Sequence, residues 1–227
     1  NNNKSFKIKS IVKKLNIEPL KKNTINFLNW FSEYNLTPLG MALKLHLLSG
    51  NGVERKNKSE YEIYQNKFTT EKFNLSNEQE KVFKNIIKND SFFRVHLLQG
   101  TTGSGKTIVY FKAIDKIISR GLQTLILLPE IGLTGEFEKK FKNFFGFEAA
   151  IWHSKITPKK KKVIWSGLSN GNIKVIIGAR SALFLPFQKL GLIIVDEEHD
   201  QSFKQDEGVT YNARDMAIAR ASSENIP

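Results

Sequence analysis

The stretch LLQGTTGSGKTIVY at residues 97–110 limits what this chain can fold into more than any other. Gly100, four further residues and then Gly105-Lys106-Thr107 follow an apolar run (92–98) and open a segment of helical pattern. That is the context in which a glycine-rich loop cradles phosphate. Gly100, Gly103 and Gly105 let the backbone curl, so that successive N–H groups from Thr101, Thr102 and Ser104 face an anion at the start of a helix. Lys106 is then placed to meet β- and γ-phosphates, and the Thr107 hydroxyl to ligate Mg²⁺.

From residue 76 onward the chain reads as helix and strand in alternation. Ser76 is an expected N-cap with Gln79 three residues on, followed by Val82, Phe83, Ile86 and Ile87 at helical spacing. FFRVHLL, QTLILLP, IKVIIGA and LGLIIVDEE are apolar runs of strand length, with helical segments at KTIVYFKAIDKIISRG, GEFEKKFKNFF and PKKKKVIWSGLSNG. Nearly continuous apolar strands separated by helices predict an α/β fold, a mostly parallel sheet flanked by helices on both faces. Upstream, residues 1–50 read as a small helical segment, with Ile25, Leu28, Trp30 or Phe31 and Tyr34 three to four apart and a break at Pro38 and Gly40. Residues 51–75 are polar without a clear period and read as a linker, so the nucleotide-binding unit is expected over 76–227.

A phosphate loop alone serves kinases, GTPases, transporter ATPases and motors equally. The second half of the site narrows the choice. LGLIIVDEEHD is an apolar strand ending in Asp196, Glu197, Glu198 and His199. An Asp at the strand's end is placed for Mg²⁺, and the next Glu to orient and deprotonate an attacking water, which favours a hydrolase over a kinase. The formal charge of +13, from 35 Lys and Arg against 22 Asp and Glu, fits a polyanionic partner. It equally fits codon bias, since only six of those cations are Arg. With no cysteine there are no disulfides or thiolate metal sites, and no apolar run approaches a membrane span, so a cytoplasmic location is expected. The polar start without Met and the abrupt end read as a piece of a longer protein.

The stretches GTTGSGKT, LLPEIGLT (127–134), WHS (152–154), IIGARSALFLPFQKLGLIIVDEEHD (176–200) and SFKQDEGVTYNARDMAIARA (202–221) together resemble the PriA-type primosomal helicases of superfamily 2. WFSEYNLTPLGMAL resembles the end of that family's N-terminal DNA-binding region, to which residues 1–50 would belong. The resemblance implies a RecA-like P-loop NTPase core, here the first motor lobe, using ATP and Mg²⁺. It also implies 3′-to-5′ helicase activity at stalled or abandoned forks. Single-stranded and forked DNA, single-stranded-DNA-binding protein and other primosome proteins are the implied partners, with no membrane. Zinc is implied only for a second lobe that this chain lacks.

By the same resemblance Gln79 reads the adenine edge, although a capping-box role accounts for it equally. Pro129 to Thr134 and Gly178 to Ser181, Arg180 included, lie against single-stranded DNA. His199 couples the ATP site to DNA. Phe203 and Tyr211 offer stacking faces in an aromatic-rich loop, with Lys204 and Arg214 as phosphate partners; a packed, structural loop is the alternative. Ala179 stands where the family usually has Thr, and the polar pair that commonly follows GLT is missing from GLTGEF. The linker is too short for the family's winged-helix domain. Lys159 to Lys162 read as a solvated helix start, and His46, His96, His153, Trp30, Trp152 and Trp165 as packed or surface residues. Two other readings stay open: a different superfamily 2 translocase, or a non-catalytic DNA-binding fragment with a vestigial ATP site.

Overall fold

Strand and helix alternate from Asn77 onward in a computed structural model that describes residues 19–47, 61, 64, 74–88, 91–101, 103–132 and 135–227. In chain order the elements are α1 (Lys22–Tyr34), α2 (Leu39–His46), α3 (Asn77–Ile87), α4 (Lys106–Ser119), β1 (Gln123–Leu127), α5 (Gly135–Phe145) and β2 (Ala150–Trp152). They continue as α6 (Pro158–Ser169), β3 (Val175–Gly178), β4 (Leu190–Val195), β5 (Lys204–Gln205), β6 (Tyr211–Asn212) and α7 (Ala213–Glu224). Most of the expected linker lies outside the described residues. Tyr61 and Tyr64 from it are buried, and the Tyr61 phenol donates to Ser166 Oγ at 3.0 Å.

The four main strands form one parallel sheet in the order β2-β3-β1-β4. Side chains alternate across it, so consecutive residues enter different cores. Leu125, Leu127 and Ile176 pack on one side with α6, α7 and the N-terminal helix α1. Ile126, Leu128, Val175 and Ile177 pack on the other with α4 and α5. Burial on both faces explains why these strands are apolar at almost every position. On the α4–α5 side the core is aromatic, with Phe111 holding Phe137, Phe141, Phe144 and Phe145 at centroid distances of 5.2–5.8 Å.

Helix α1 is no appendage. Phe27, Leu28 and Phe31 share a core with β1, β3 and α7. Phe31 meets Phe184 at 4.9 Å and Tyr211 at 5.5 Å, and Phe27 lies 5.4 Å from the buried guanidinium of Arg220 on α7. Trp30, read as a packed or surface residue, sits at the surface, 37% exposed and stacked on Tyr34 at 4.8 Å. The inward face of α1 is already filled by Phe27 and Phe31, and Trp30 lies one position off that face.

The run expected as a strand before the glycine-rich loop is corrected. Residues 93–100 make no sheet ladder, and Phe92, Val95 and Leu97 are exposed. A strand exists only beside a partner edge, and the chain's final residues lie between this run and β4. Phe93 N donates to Asn225 Oδ1 at 3.1 Å, while Ile193 N of β4 donates to the carbonyl of Pro227 at 3.1 Å.

Parallel register brings the strand ends to one edge. Leu127 pairs with Gly178 and Val195, and Trp152 with Gly178. The segments that follow these strands therefore emerge side by side at the carboxyl edge, where ligands bind in open α/β sheets.

Candidate functional site

Two glycines set the shape of the loop. Gly103 and Gly105 both have φ of 82°, in the left-handed region that residues with a Cβ avoid, and Gly105 is the N-cap of α4. At Gly100 an added Cβ would lie 2.6 Å from Ser104 Oγ, so the serine hydroxyl would have to turn away. Lys106 Nζ donates to the carbonyls of Gly100 at 2.5 Å and Thr101 at 3.1 Å, drawing the ammonium into the loop's concavity. Thr102 lies outside the described residues.

Gln79 reaches this loop from the start of α3. Its N–H donates to Ser76 Oγ and its Oε1 accepts from Ser76 N at 2.9 Å, completing a capping box. Its Nε2 also donates to the carbonyl of Ser104 at 3.1 Å. The capping role is thus present, and the same amide braces the phosphate loop with one N–H left over.

The acidic segment enters at the end of β4. Asp196 N donates to the Leu127 carbonyl at 3.0 Å, tying the segment to the neighbouring strand. Asp196 Oδ1 accepts from Glu197 N at 3.1 Å, and Oδ2 accepts from the Tyr110 phenol at 2.8 Å. Thr107 lies three residues before Tyr110 on α4, at the start of the same helix. Burial first, and then the Asp196 carboxylate, hold the Tyr110 phenol well above its ordinary titration range. Glu197 has φ of 51°, a conformation uncommon for a residue with a long side chain and one that gathers at functional sites. Its carboxylate is exposed, 3.7 Å from His199 Nε2.

Hard oxygen donors, one hydroxyl and one carboxylate, suit Mg²⁺ held jointly with phosphate oxygens. A loop with bare backbone at Gly100, Gly103 and Gly105 suits the phosphates. The residues present therefore fit both groups. Tyr110 was not singled out from sequence, although its place three residues after Thr107, on the same face of α4, was the available signal.

The expected nucleic-acid residues fare unevenly. Pro129 is buried at the mouth of β1, and Thr134 lies outside the described residues. Arg180 opens a short 3₁₀ turn after β3, and its guanidinium donates to the carbonyl of Lys204. Ser181 accepts from Trp152 Nε1 at 3.2 Å. Phe203 and Tyr211 do not present stacking faces. Phe203 is 1% exposed, and Tyr211 is packed edge-on between Phe31 and Phe184. These rings flank the β5–β6 ribbon and are drawn inward because α1 and the 3₁₀ turn supply apolar surface for them. Arg214 is likewise engaged, with Nη1 on Glu198 at 3.1 Å and Nε on Asp215 at 3.0 Å, so it links the ribbon to the acidic segment. Lys204 is exposed and pairs with Asp206 at 3.3 Å. The lysines at 159–162 fall in the first turns of α6, behind the N-cap Thr157.

Among the described residues, no helix is long and apolar enough to cross a membrane. A family model described as DEAD/DEAH box helicase matches residues 76–224. The chain is similar to the replication restart protein PriA of Rickettsia conorii, 42% identical over 225 residues that cover 97% of this chain and 33% of that protein. Proteins of the same name from Bacillus subtilis and Haemophilus influenzae are 39% and 43% identical, covering 72% and 67% of this chain and 21% of each relative. It therefore spans about a third of the length of the Rickettsia relative and about a fifth of the other two. With the phosphate loop, the acidic segment at the β4 end and the parallel sheet that joins them, the chain belongs to the DEAD/DEAH box helicase family.

Proposed function

We propose that this chain is the first motor lobe of an ATP-dependent 3′-to-5′ DNA helicase of replication restart, acting on stalled or abandoned forks in the cytoplasm. The observation that carries the reading is the tie between the two halves of the site: the phenol of Tyr110, on the helix that Lys106 and Thr107 open, donates to Asp196 at the end of β4 at 2.8 Å. Backbone N–H groups from Gly100 to Gly105 and the Lys106 ammonium would bind the phosphates, Lys106 exchanging its two loop carbonyls for phosphate oxygens. Thr107 and Asp196 would hold Mg²⁺, which supplies charge neutralisation at the phosphate oxygens. Glu197, with its positive φ and exposed carboxylate, would orient and deprotonate water, and His199 Nε2 lies 3.7 Å from that carboxylate. Gln79 contacts the adenine edge with its remaining N–H.

DNA would track along the carboxyl edge of the sheet, past Pro129 to Thr134, Arg180, Ser181 and Lys204. Phe203 and Tyr211 contribute by packing that surface, and Arg214 couples it to Glu198. Residues 1–50 end a DNA-binding region, 51–75 link it, and 76–227 form the lobe. A second lobe, outside this chain, carries any zinc. Single-stranded-DNA-binding protein and other primosome proteins are the proposed partners.

Steady-state ATP hydrolysis by the protein with and without single-stranded DNA tests the reading, beside Lys106→Ala and Glu197→Gln. DNA-stimulated turnover abolished by both substitutions supports it. Turnover indifferent to DNA, or unaffected by either change, refutes it.

A further inference from the structure

Asp196 leaves β4 at a half-exposed position, where a carboxylate is free to turn about its last bond. One oxygen is held by the Glu197 N–H on its own loop. The other is held by the Tyr110 phenol, 86 residues earlier in the chain. That phenol is not mobile. Its ring is buried in the core between α4 and the sheet and set edge-on to Phe111 at 5.3 Å.

We propose that Tyr110 is a positioning residue for the divalent cation, holding the Asp196 carboxylate in the orientation that Mg²⁺ requires. This rests on the nucleotide site proposed above. Mg²⁺ demands near-ideal octahedral geometry at short distances, so small rotations of a carboxylate weaken its hold. Groups that orient metal ligands typically alter metal affinity or activity by about 10–100-fold when removed. With the hydroxyl gone, Asp196 Oδ2 turns to water and the carboxylate loses its fixed reference on α4. The phosphate loop, anchored through Lys106 and Gln79, does not depend on this bond.

The test is a fluorescent ADP analogue titrated onto the protein in excess EDTA and then across a Mg²⁺ series, for wild type, Tyr110→Phe, Asp196→Asn and Lys106→Ala. The thermal unfolding midpoint is recorded alongside. Positioning predicts that Tyr110→Phe raises the Mg²⁺ midpoint about 10-fold or more, leaving metal-free affinity and the unfolding midpoint unchanged. A Mg²⁺ midpoint within about 2-fold of wild type overturns the inference while the site stands. Equal weakening with and without Mg²⁺, or loss of cooperative unfolding, also overturns it, because the hydroxyl would then serve the fold. If wild-type binding is indifferent to Mg²⁺ and to Lys106→Ala, the nucleotide site itself fails and the inference falls with it.

Discussion

Replacing Phe27 with alanine removes a fully buried ring that joins α1 to the rest of the core. The ring lies 5.9 Å from Phe184, 6.2 Å from Phe31 and 5.4 Å from the Arg220 guanidinium, which is itself 0% exposed. A buried Phe→Ala change costs about 3–5 kcal/mol through lost transfer energy and the cavity left behind. Loss of the desolvated cation–π contact pushes toward the upper end. Among the described residues Arg220 Nε has no hydrogen-bond partner, and Nη2 has only the Glu224 carboxylate, at 3.6 Å. Water entering the cavity would solvate them and offset part of the loss, so about 4 kcal/mol is expected, a large share of the 5–15 kcal/mol that typically holds a domain. In urea, with a slope of about 3 kcal/mol per molar, the midpoint should fall by about 1.3 M with the slope unchanged. A cycle with Arg220→Met should give a coupling of about 0.5–3 kcal/mol. A loss below about 1 kcal/mol, or an early separate transition that leaves the sheet intact, would show that α1 is not part of the cooperative core.

His46 gives a pH signature. It is buried with Nδ1 2.6 Å from the Phe184 carbonyl, and burial first, with the Arg220 charge adding, lowers its pKa to about 4, against the raising effect of that carbonyl. The unfolded chain binds the proton more readily, so the stability from neutral His46 is full above about pH 6.5 and is lost as pH falls toward 4, by about 3 kcal/mol in all. Urea midpoints measured across that window should fall more steeply for wild type than for His46→Gln; parallel curves would contradict the assignment. Gly105→Ala should cost about 1–2 kcal/mol for its left-handed backbone. It also places a Cβ 2.4 Å from Gln79 Nε2 and so breaks the brace to Ser104. Nucleotide affinity, read by titration of a fluorescent analogue, should drop about 10-fold or more, and an unchanged affinity would refute the cradle geometry.

Much of the site was legible because it is local. The glycine spacing that forces positive φ, the Ser76–Gln79 capping box and the apolar runs of β1, β3 and β4 each act within a few residues, where backbone sterics and side-chain period decide the outcome. The three-residue strand β2 is too short to show a period and was read only as part of a motif. The run at 92–98 has strand composition yet makes no ladder, since pairing depends on which edge lies beside it.

What composition could not decide is which aromatic side chains turn inward. Phe203 and Tyr211 read either as stacking faces or as part of a packed loop, and α1, far earlier in the chain, supplies the apolar partner that buries Tyr211. Trp30 reads as either packed or surface, and the filling of the inward face of its helix by Phe27 and Phe31 decides for the surface. Sequence by itself determined the phosphate loop, the acidic strand end and the parallel α/β architecture, through conformational limits that act between near neighbours. Only the tertiary structure brought Tyr110 to Asp196 and Arg214 to Glu198 and set α1 into the core, because burial and hydrogen-bond partners are chosen by proximity in space.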